Sequence, residues 1–556
     1  MRTLKRRGIL AAGSGVAVGA AFGLQGTAGA VGVGTSGAGA RATAATGSDA
    51  VTVTPSDPRY ADLRSGMNQR WVAAPEKIVL PRTTADVVAA VQSAVDAGKR
   101  ITVAGGGHCF EDFVYNDETK VVLNMSLMNA VAFDTAMGAF VVEGGATLLD
   151  VYEALHGGWG VTIPGGICHS VGIGGHVAGG GFGMLSRQHG LTVDHLHAVE
   201  VVVVDAAGRA KRVVATRAAT DPHQDLFWAH TGGGGGSFGV ITRYWFRTPG
   251  ATGNDPTRLL PKAPAEVYIS NLFWPWEKVT KEGFARLVTH YGEWLEANNT
   301  AGTTAGSLFS WMLLNHRSAG NLGLIIQVDA SLPDAARVLS DHLAGLNAAL
   351  GVATTPVRRA GVVDSQYSST RKLPWLRGTK YIGSVSATQL DPTMRGIHKS
   401  SHLVKPTPAA QIDAMYRHLT NDDAVSPFAG IVYASAGGAI GTVPSHATAV
   451  AQRAAIMKTN FESVWYEAAD DAVNLGWVRN VFADVYADTG GVPVPNGVTD
   501  GCYINYPDGD LGDPAHNKST TPWHDLYWKG NYARLQRAKR AYDPRNVFRH
   551  RQSIRP

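Results

Sequence analysis

A glycine-rich segment in the first third of the chain constrains its structure more than any other feature. Nine of the twenty residues from Pro164 to Gly183 are glycine, and apolar residues such as Ile167, Ile173 and Phe182 lie between them. So many glycines favour neither a helix nor an ordinary strand, and the apolar anchors argue against a flexible linker. We therefore expect this backbone to lie against something large, flat and phosphate-bearing.

A second glycine cluster follows the predicted strand Ile101–Val103. It reads Ala104-Gly105-Gly106-Gly107-His108. Consecutive glycines let backbone N–H groups converge on phosphate oxygens at close range. From composition alone, His108 is equally well a member of such a site or a plain loop residue.

Other motifs fail on their context. Gly234–Gly239 matches both GxGxxG and, in part, GxSxG, but a predicted strand follows it where a dinucleotide loop or a nucleophile elbow would open a helix. No P-loop motif is present. His189, His195 and His197 have no HExxH or CxxC companion, so the sequence predicts no metal site.

Composition narrows the class of protein. The 556 residues are 44% hydrophobic and 17% charged, and the 66 glycines follow no Gly-X-Y period, which excludes disordered and collagen-like chains. Four basic residues lie in the first seven positions, and without them 46 basic residues face 45 acidic ones. The rest of the chain is therefore nearly neutral, and we expect no nucleic-acid partner.

The N-terminus is typical of an export signal. Lys5, Arg6 and Arg7 precede a weakly apolar stretch and the small residues Ala28–Ala30, so residues 1–30 resemble a twin-arginine signal, with an ordinary secretory signal as the alternative. Residues 31–55 are predicted to be a flexible leader. No later segment has the apolar length of a membrane span, so we expect an exported protein without membrane association after signal removal.

The pattern downstream predicts an α+β protein. A helix capped by Thr83 and Thr84, several strands and a helix over Leu148–Leu155 occupy the first part, and the loop-like Pro249–Pro264 marks a boundary. Beyond it, strands such as Leu308–Leu313 and Leu324–Val328 alternate with helices predicted over Lys281–Leu295, Asp334–Leu350, Ala409–Leu419 and Ala447–Thr459. Cys502–Tyr506 is predicted to be a strand and Tyr532–Tyr542 a helix.

The two glycine segments, together with the tail, resemble the FAD-linked oxidases of the vanillyl-alcohol oxidase/PCMH superfamily, in their berberine-bridge-enzyme-like branch. The tail motifs are Tyr503-Ile504-Asn505-Tyr506-Pro507-Asp508, Asn531–Leu535 and Tyr542–Phe548. The resemblance runs from about residue 60 to the end, is weakest over 250–495, and is closest to bacterial sugar and glycoside oxidases with doubly attached flavin.

The resemblance implies a fold and a cofactor. It implies a PCMH-type FAD-binding domain of two α/β subdomains over 56–250, a substrate domain with an antiparallel sheet over 251–495, and a C-terminal segment over 496–556 that returns to the FAD domain. His108 would bond the flavin 8α-methyl group and Cys168 the ring carbon C6. The remaining cofactor-binding residues would be Ala104, Gly105, Gly106, Gly107, Gly172, Gly174, Gly175, His176, Gly179, Gly180, Gly181, Gly183, Asn505 and Asn546.

The resemblance also implies the catalytic residues. A tyrosine of the tail strand would act as general base, Tyr506 narrowly ahead of Tyr503, because strand alternation would send the two to opposite faces. Val171 would stand at an oxygen gate and favour reaction with O₂. Phe182 stands where several relatives have a tyrosine, so a possible second base is missing and the resemblance does not extend to a two-step oxidation. Tyr416 is the one other candidate for that second base.

The favoured function is oxidation of a carbohydrate or a glycosylated secondary metabolite. An alcohol would become a ketone or lactone while O₂ becomes H₂O₂, in a monomer or homodimer. The alternatives are an oxidative cyclase that forms C–C, C–N or C–O bonds, and a binding or storage protein with vestigial flavin. The sequence leaves two further alternatives. Cys109 and Cys502 are either free thiols or a disulfide pair. Five aromatic residues either form a stacking platform for the substrate or belong to the core, namely Phe273, Trp274, Trp276, Phe309 and Trp311.

Overall fold

The structure is a computed structural model that describes residues 50–354, 358–359, 362–363, 370–384, 393–423 and 425–556. The predicted export signal and most of the predicted leader lie outside the described residues. The leader prediction, 31–55, is wrong at its end, because Val51–Val53 form strand β1 and Val53 is fully buried. No helix in the described part of the chain has the length and apolar character needed to cross a membrane.

The first sheet has four strands in the order β1-β2-β4-β3. Strands β2, Lys77–Leu80, and β3, Ile101–Ala104, run parallel to β4, Val121–Asn124, and β1 adds an antiparallel edge. Helix α2, Thr84–Asp96, packs on β4 and begins as predicted, because the Thr83 side chain accepts a hydrogen bond from the Asp86 backbone at 3.1 Å. Strand β3 leads directly into the second glycine cluster, which ends at His108.

The second sheet has five antiparallel strands in the order β5-β6-β9-β7-β8. The strands are β5 Val131–Asp134, β6 Ala139–Glu143, β7 Leu196–Val204, β8 Ala210–Thr216 and β9 Val240–Phe246. Helix α3, Leu148–Trp159, follows β6 and ends at Gly160 in the left-handed conformation, with φ 68°. The glycine-rich segment over 164–183 and a third glycine cluster over 232–236 connect elements of this sheet.

The third sheet has seven antiparallel strands in the order β15-β10-β12-β11-β17-β18-β16, all from the predicted substrate region. The strands are β10 Glu266–Pro275, β11 Phe309–Asn315, β12 Asn321–Asp329, β15 Arg371–Pro374, β16 Arg395–Leu403, β17 Gly430–Ser435 and β18 Met457–Trp465. Strands β13 Arg358–Arg359 and β14 Val362–Val363 form a separate pair.

Helices cover the seven-stranded sheet and link the parts of the chain. The helices that pack on its strands or on one another are α7 Lys281–Ala297, α9 Ala335–Leu350, α11 Ala409–Leu419 and α12 Asp471–Val485. Shorter helices are α1 Tyr60–Leu63, α4 Ile173–Ala178, α5 Ser186–His189, α6 Gln224–Ala229, α8 Thr304–Ser307, α10 Trp375–Gly383 and α13 Trp523–Trp528. Helix α14, Tyr532–Tyr542, has the predicted bounds and packs on α6.

The helix predicted over Ala447–Thr459 is wrong. Residues 447–456 have no regular secondary structure, and β18 begins at Met457. Tertiary contacts override the local apolar spacing here: Arg453 forms an ion pair with Asp194 at 2.8 Å, and the Asn531 side chain donates to the carbonyls of Thr448 and Ala449. These contacts hold residues 447–456 to the turn just before β7 and to the tail.

Candidate active site

A cavity of about 740 Å³ lies where the glycine segments meet one face of the seven-stranded sheet and the C-terminal segment. Most of the predicted site residues line it. They are Ala104, Gly105, Gly106, Gly107, His108, Cys168, Val171, Gly172, Gly174, Gly175, His176, Tyr503, Asn505 and Tyr506. The structure thus brings together residues from three separate stretches of sequence.

The first two glycine segments touch backbone to backbone. A Cβ atom at Gly106 would lie 2.2 Å from the carbonyl oxygen of Ser170 and 2.3 Å from the nitrogen of Gly172. A methyl group would therefore force the two loops apart. The expectation that the glycine-rich segment over 164–183 contains no helix is wrong, because α4 forms over Ile173–Ala178. This helix still needs glycine at Gly174, since a Cβ there would lie 2.7 Å from the Gly144 carbonyl oxygen.

His108 and Cys168 reach the cavity from these two loops. The His108 Nε2 atom lies 2.7 Å from the Ser170 hydroxyl, and Cys168 is partly exposed. Burial lowers the pKa of His108 to about 4, so its imidazole is neutral near pH 7 and keeps a nucleophilic lone pair. The Cys109–Cys502 pair considered above does not form, and burial raises the pKa of the Cys109 thiol to about 12.

Asn505 ties the tail to the glycine segment. Its side-chain nitrogen donates to the His176 carbonyl at 2.8 Å and lies 3.1 Å from the Tyr503 hydroxyl. A Cβ at Gly179 would lie 2.0 Å from the Asn505 side chain, so glycine is required there by packing. His176 in turn accepts a hydrogen bond from the Gly166 backbone, and burial lowers the pKa of His176 to about 3.

Some predicted cofactor residues lie behind the cavity wall instead of lining it. Gly180 packs under Val450, Gly181 under Thr192, and Gly183 against the Gly165 carbonyl. Asn546 sits in a turn after α14 with φ 51°. Like Gly179, these residues shape the loops that carry the lining.

The strand predicted over Cys502–Tyr506 is a turn. The Tyr506 backbone nitrogen donates to the Tyr503 carbonyl at 2.9 Å, and the Asn505 contacts hold this conformation. The two tyrosine rings consequently lie together, with centroids 5.3 Å apart, and the prediction that they face opposite sides is wrong. Burial raises the pKa of Tyr503 to about 12 and that of Tyr506 well above its ordinary value.

Lys458 on β18 is a site residue that sequence reasoning missed. Its ammonium nitrogen lies 4.1 Å from the ring centres of Phe182 and Tyr503 and 4.5 Å from that of Tyr506. Burial lowers the pKa of Lys458 well below its ordinary value. The alternation of Lys458, Asn460 and Glu462 along the chain was the available signal, and all three line the cavity.

The third glycine cluster also lines the cavity. Gly233–Ser237 meet Phe548–His550 of the tail there. The His550 ring stacks on Phe113 with centroids 4.0 Å apart, and its Nε2 lies 3.1 Å from the Gly235 carbonyl. The dinucleotide motif was correctly rejected, since β9 follows it, yet its glycines still belong to the site.

Lys539 holds the tail against the residues that follow the third glycine cluster. Its buried ammonium group donates to the carbonyls of Ser237 and Phe548 at 2.7 and 2.6 Å and pairs with Asp543 at 2.7 Å. One buried cation thus fixes the tail against the third glycine cluster.

The residues present fit a bound flavin dinucleotide. Glycines from three segments line the cavity with bare backbone, which suits close approach of a flat ring system and a pyrophosphate. Among the described residues, no group of three His, Cys, Asp or Glu side chains is arranged to hold a metal ion.

The five aromatic residues singled out in the substrate region fall into two groups, those that line the cavity and those that pack away from it. Phe273 and Trp311 line the cavity, whereas Trp274 and Phe309 are fully buried in the core. Trp276 packs on Phe284 and Tyr416 with the helices, and Tyr416 is not part of the cavity lining.

Comparisons with known proteins identify the family of the chain. Residues 75–213 match the family model described as FAD binding domain, and residues 502–555 match the one described as berberine and berberine like. Aclacinomycin-N/aclacinomycin-A oxidase of Streptomyces galilaeus is 47% identical over 90% of this chain and 89% of its own length. Hexose oxidase of Chondrus crispus is 33% identical over 90% and 93%.

A solved structure gives the same result. The glycopeptide hexose oxidase complexed with teicoplanin is 44% identical, with a TM-score of 0.85 over 91% of this chain and 99% of the other. The mixed α/β fold is that of PCMH-type flavoenzymes, as predicted. The chain belongs to the berberine-bridge-enzyme-like family of FAD-linked oxidoreductases, and it is an FAD-dependent oxidase.

Proposed function

We propose that the protein oxidises a hydroxyl-bearing carbon of a carbohydrate or a glycosylated secondary metabolite to a ketone or lactone, with O₂ reduced to H₂O₂. The relatives are named as oxidases of hexoses, a glycopeptide and aclacinomycins, which supports this substrate class. The observation that carries the proposal is the pair of phenols under Lys458, in the same cavity as His108 and Cys168. This arrangement suits deprotonation of an alcohol beside the flavin.

We further propose that flavin is attached twice, to His108 and to Cys168. A neutral imidazole is the form that can bond to an alkyl carbon, and burial keeps His108 neutral. The Ser170 hydroxyl, 2.7 Å from Nε2, orients the ring. The two residues reach the cavity from two loops that contact one another, which suits attachment at two positions of one ring system.

The general base in this proposal is Tyr506, assisted by Tyr503 and Lys458. When bound, flavin accepts a hydride from the substrate carbon and passes electrons to O₂. Among the described residues, no hydrogen bond occupies the Tyr506 hydroxyl, so its oxygen is available to a substrate proton, whereas the Tyr503 oxygen already contacts Asn505. A protonated Lys458 over the phenol ring would stabilise the phenolate, and we propose this as the contribution of Lys458.

Val171 is proposed to favour reaction with oxygen. It lies three residues after Cys168 and lines the cavity, with its backbone nitrogen bonded to the Cys168 carbonyl at 3.2 Å. A valine leaves more room beside the ring system than leucine or isoleucine would.

The central experiment combines a substrate screen with an attachment assay. Anaerobic holoenzyme should lose its visible flavin absorbance with at least one sugar or glycoside and form H₂O₂ when air is admitted. After acid precipitation the yellow colour should remain with the polypeptide, and His108→Ala and Cys168→Ala should each keep it through the other bond. Absence of bleaching by any alcohol would overturn the function, and colour released from wild-type protein would overturn the attachment.

Export through a twin-arginine route is proposed from the N-terminal sequence, which lies outside the described residues. Replacing both Arg6 and Arg7 by lysine in the full-length protein should retain it inside the producing cell. Unchanged appearance in the culture medium would contradict this route.

A further inference from the structure

Beyond Lys458, the cavity face of β18 carries two more polar side chains, Asn460 and Glu462. His398 on the neighbouring strand β16 is directly opposite Glu462 in the strand register. All three line the cavity, and we call them the β18 acceptor cluster. The proposed base and the flavin attachment do not use them.

The cluster is built and mostly buried. His398 is 4% exposed and Asn460 7%. The His398 Nδ1 atom lies 3.3 Å from a Glu462 carboxylate oxygen and 3.2 Å from the Asn460 amide nitrogen, which also donates to Glu462. The His398 ring packs against that of Phe110 in a tilted arrangement, with centroids 3.6 Å apart, and this contact restrains it.

Two buried polar atoms of the cluster have no hydrogen-bond partner among the described residues: the His398 Nε2 and the Asn460 Oδ1. A buried polar atom without a partner costs free energy, commonly about 1–3 kcal/mol. Because both residues line the cavity, a bound molecule is positioned to supply the missing partners.

The charge of the cluster indicates what that molecule carries. Glu462 has its side chain 29% exposed, and the partners recorded for it are an imidazole and an amide. Among the described residues, no lysine or arginine forms an ion pair with it. The carboxylate and the Asn460 oxygen are both acceptors, so a group with several donors and a positive charge complements them best.

We propose that the β18 acceptor cluster binds a protonated amino group on the substrate sugar, which makes amino sugars a preferred substrate class. The proposal rests on the proposed function for the place of the sugar in the cavity. Glu462 supplies the charge, Asn460 a second acceptor, and His398 holds both in position. A neutral polyol would satisfy the acceptors but would leave the charge uncompensated.

The test measures binding without turnover. Holoenzyme is reduced anaerobically and titrated by calorimetry with methyl hexosides bearing an ammonium group at C2, C3 or C4, each compared with its hydroxyl parent. We expect at least one amino glycoside to bind about tenfold or more tightly than its parent, as hydrogen bonds to a charged group allow. Glu462→Gln should abolish that preference, and Glu462→Asp should retain part of it.

Glu467→Gln is the matched control, because Glu467 is exposed just beyond β18 and loses the same charge outside the cavity. It should keep the wild-type preference. Equal binding of amino and hydroxyl glycosides to wild type overturns the proposal, and so does equal weakening of both by Glu462→Gln. Failure of every alcohol to bleach the flavin would instead defeat the proposed function, since the calorimetric preference is read without oxidation.

Discussion

The two sides of the cavity are built on different principles. On the glycine side the wall is largely backbone: Gly106 lies so close to Ser170 and Gly172 that no side chain fits between them. On the sheet side the wall consists of side chains from several strands, such as Lys458 and Glu462 of β18, and the strands pair in a regular register.

The two sides therefore tolerate different amino-acid substitutions. A backbone wall depends on the absence of side chains, so any added atom displaces a whole loop. A side-chain wall depends on which group each position carries, so a substitution changes chemistry while the strand persists. The glycine side is therefore suited to a cofactor of fixed shape, and the sheet side to a substrate that differs among relatives.

The largest effect is expected from adding one methyl group to the backbone wall. Gly106→Ala places a Cβ 2.2 Å from the Ser170 oxygen and 2.3 Å from the Gly172 nitrogen, so the glycine-rich segment over 164–183 must move. Loss of bound flavin, measured as the ratio of visible to ultraviolet absorbance, should be nearly complete. Gly158→Ala in α3 is the control, since its Cβ would meet no atom within 4 Å. Normal flavin content in Gly106→Ala would contradict a backbone wall.

The same contrast explains what could be predicted from sequence. Glycine clusters indicate a backbone wall directly, and the family resemblance that they carry predicts His108 and Cys168 beside it without a structure. Lys458 was missed because residues 447–456 have helix-like apolar spacing, and only the Arg453–Asp194 ion pair and related tertiary contacts show that they are irregular. Local pattern cannot anticipate a contact made across 259 residues of chain.

The tail shows the same limit at smaller scale. Tyr503–Tyr506 carries a strand-like composition, and the family resemblance located it correctly at the site. Its turn is imposed by Asn505, which bonds to His176 more than 300 residues earlier. The motif predicts which segment bears the base, but it does not predict the relative placement of the two phenols.

The next largest effect is expected at the phenols. Tyr506→Phe removes the open hydroxyl, and loss of a general base should slow flavin reduction about 10²–10⁴-fold. Tyr503→Phe should slow it less, because that oxygen is already engaged by Asn505. Anaerobic stopped-flow absorbance with a substrate from the screen measures both. If Tyr503→Phe proves the more damaging change, the roles are exchanged. Normal reduction in both variants would remove the base from this segment.

A smaller and selective effect is expected at Val171, where the two walls meet near Cys168. Val171→Leu adds bulk at the cavity lining without a new charge. Reoxidation of the reduced flavin by air-saturated buffer should slow much more than reduction by substrate. Double-mixing stopped flow resolves the two half-reactions in one preparation. Equal slowing of both would show that the side chain obstructs the substrate instead of oxygen.

The smallest effect is expected on the free energy of unfolding, and it tests whether burying Lys458 in the sheet wall destabilises the folded protein. Burial lowers the pKa of Lys458 below its ordinary value of 10.5, so the unfolded chain binds a proton that the folded protein holds less well. Stability therefore falls as pH drops below 10.5, until the folded-state pKa is reached. Lys458→Met removes this cost and should raise the free energy of unfolding near pH 7 by roughly 1–3 kcal/mol, while slowing flavin reduction.

The signature is the dependence of that gain on pH. Thermal unfolding of wild type and Lys458→Met should differ near neutral pH, and the difference should disappear above pH 10.5, where the lysine is neutral in both states. Lys529→Met, which removes a lysine paired with Asp500 at 2.6 Å, is the contrast and should destabilise at neutral pH. If Lys458→Met also destabilises there, the ammonium group contributes more through its three aromatic neighbours than its burial costs.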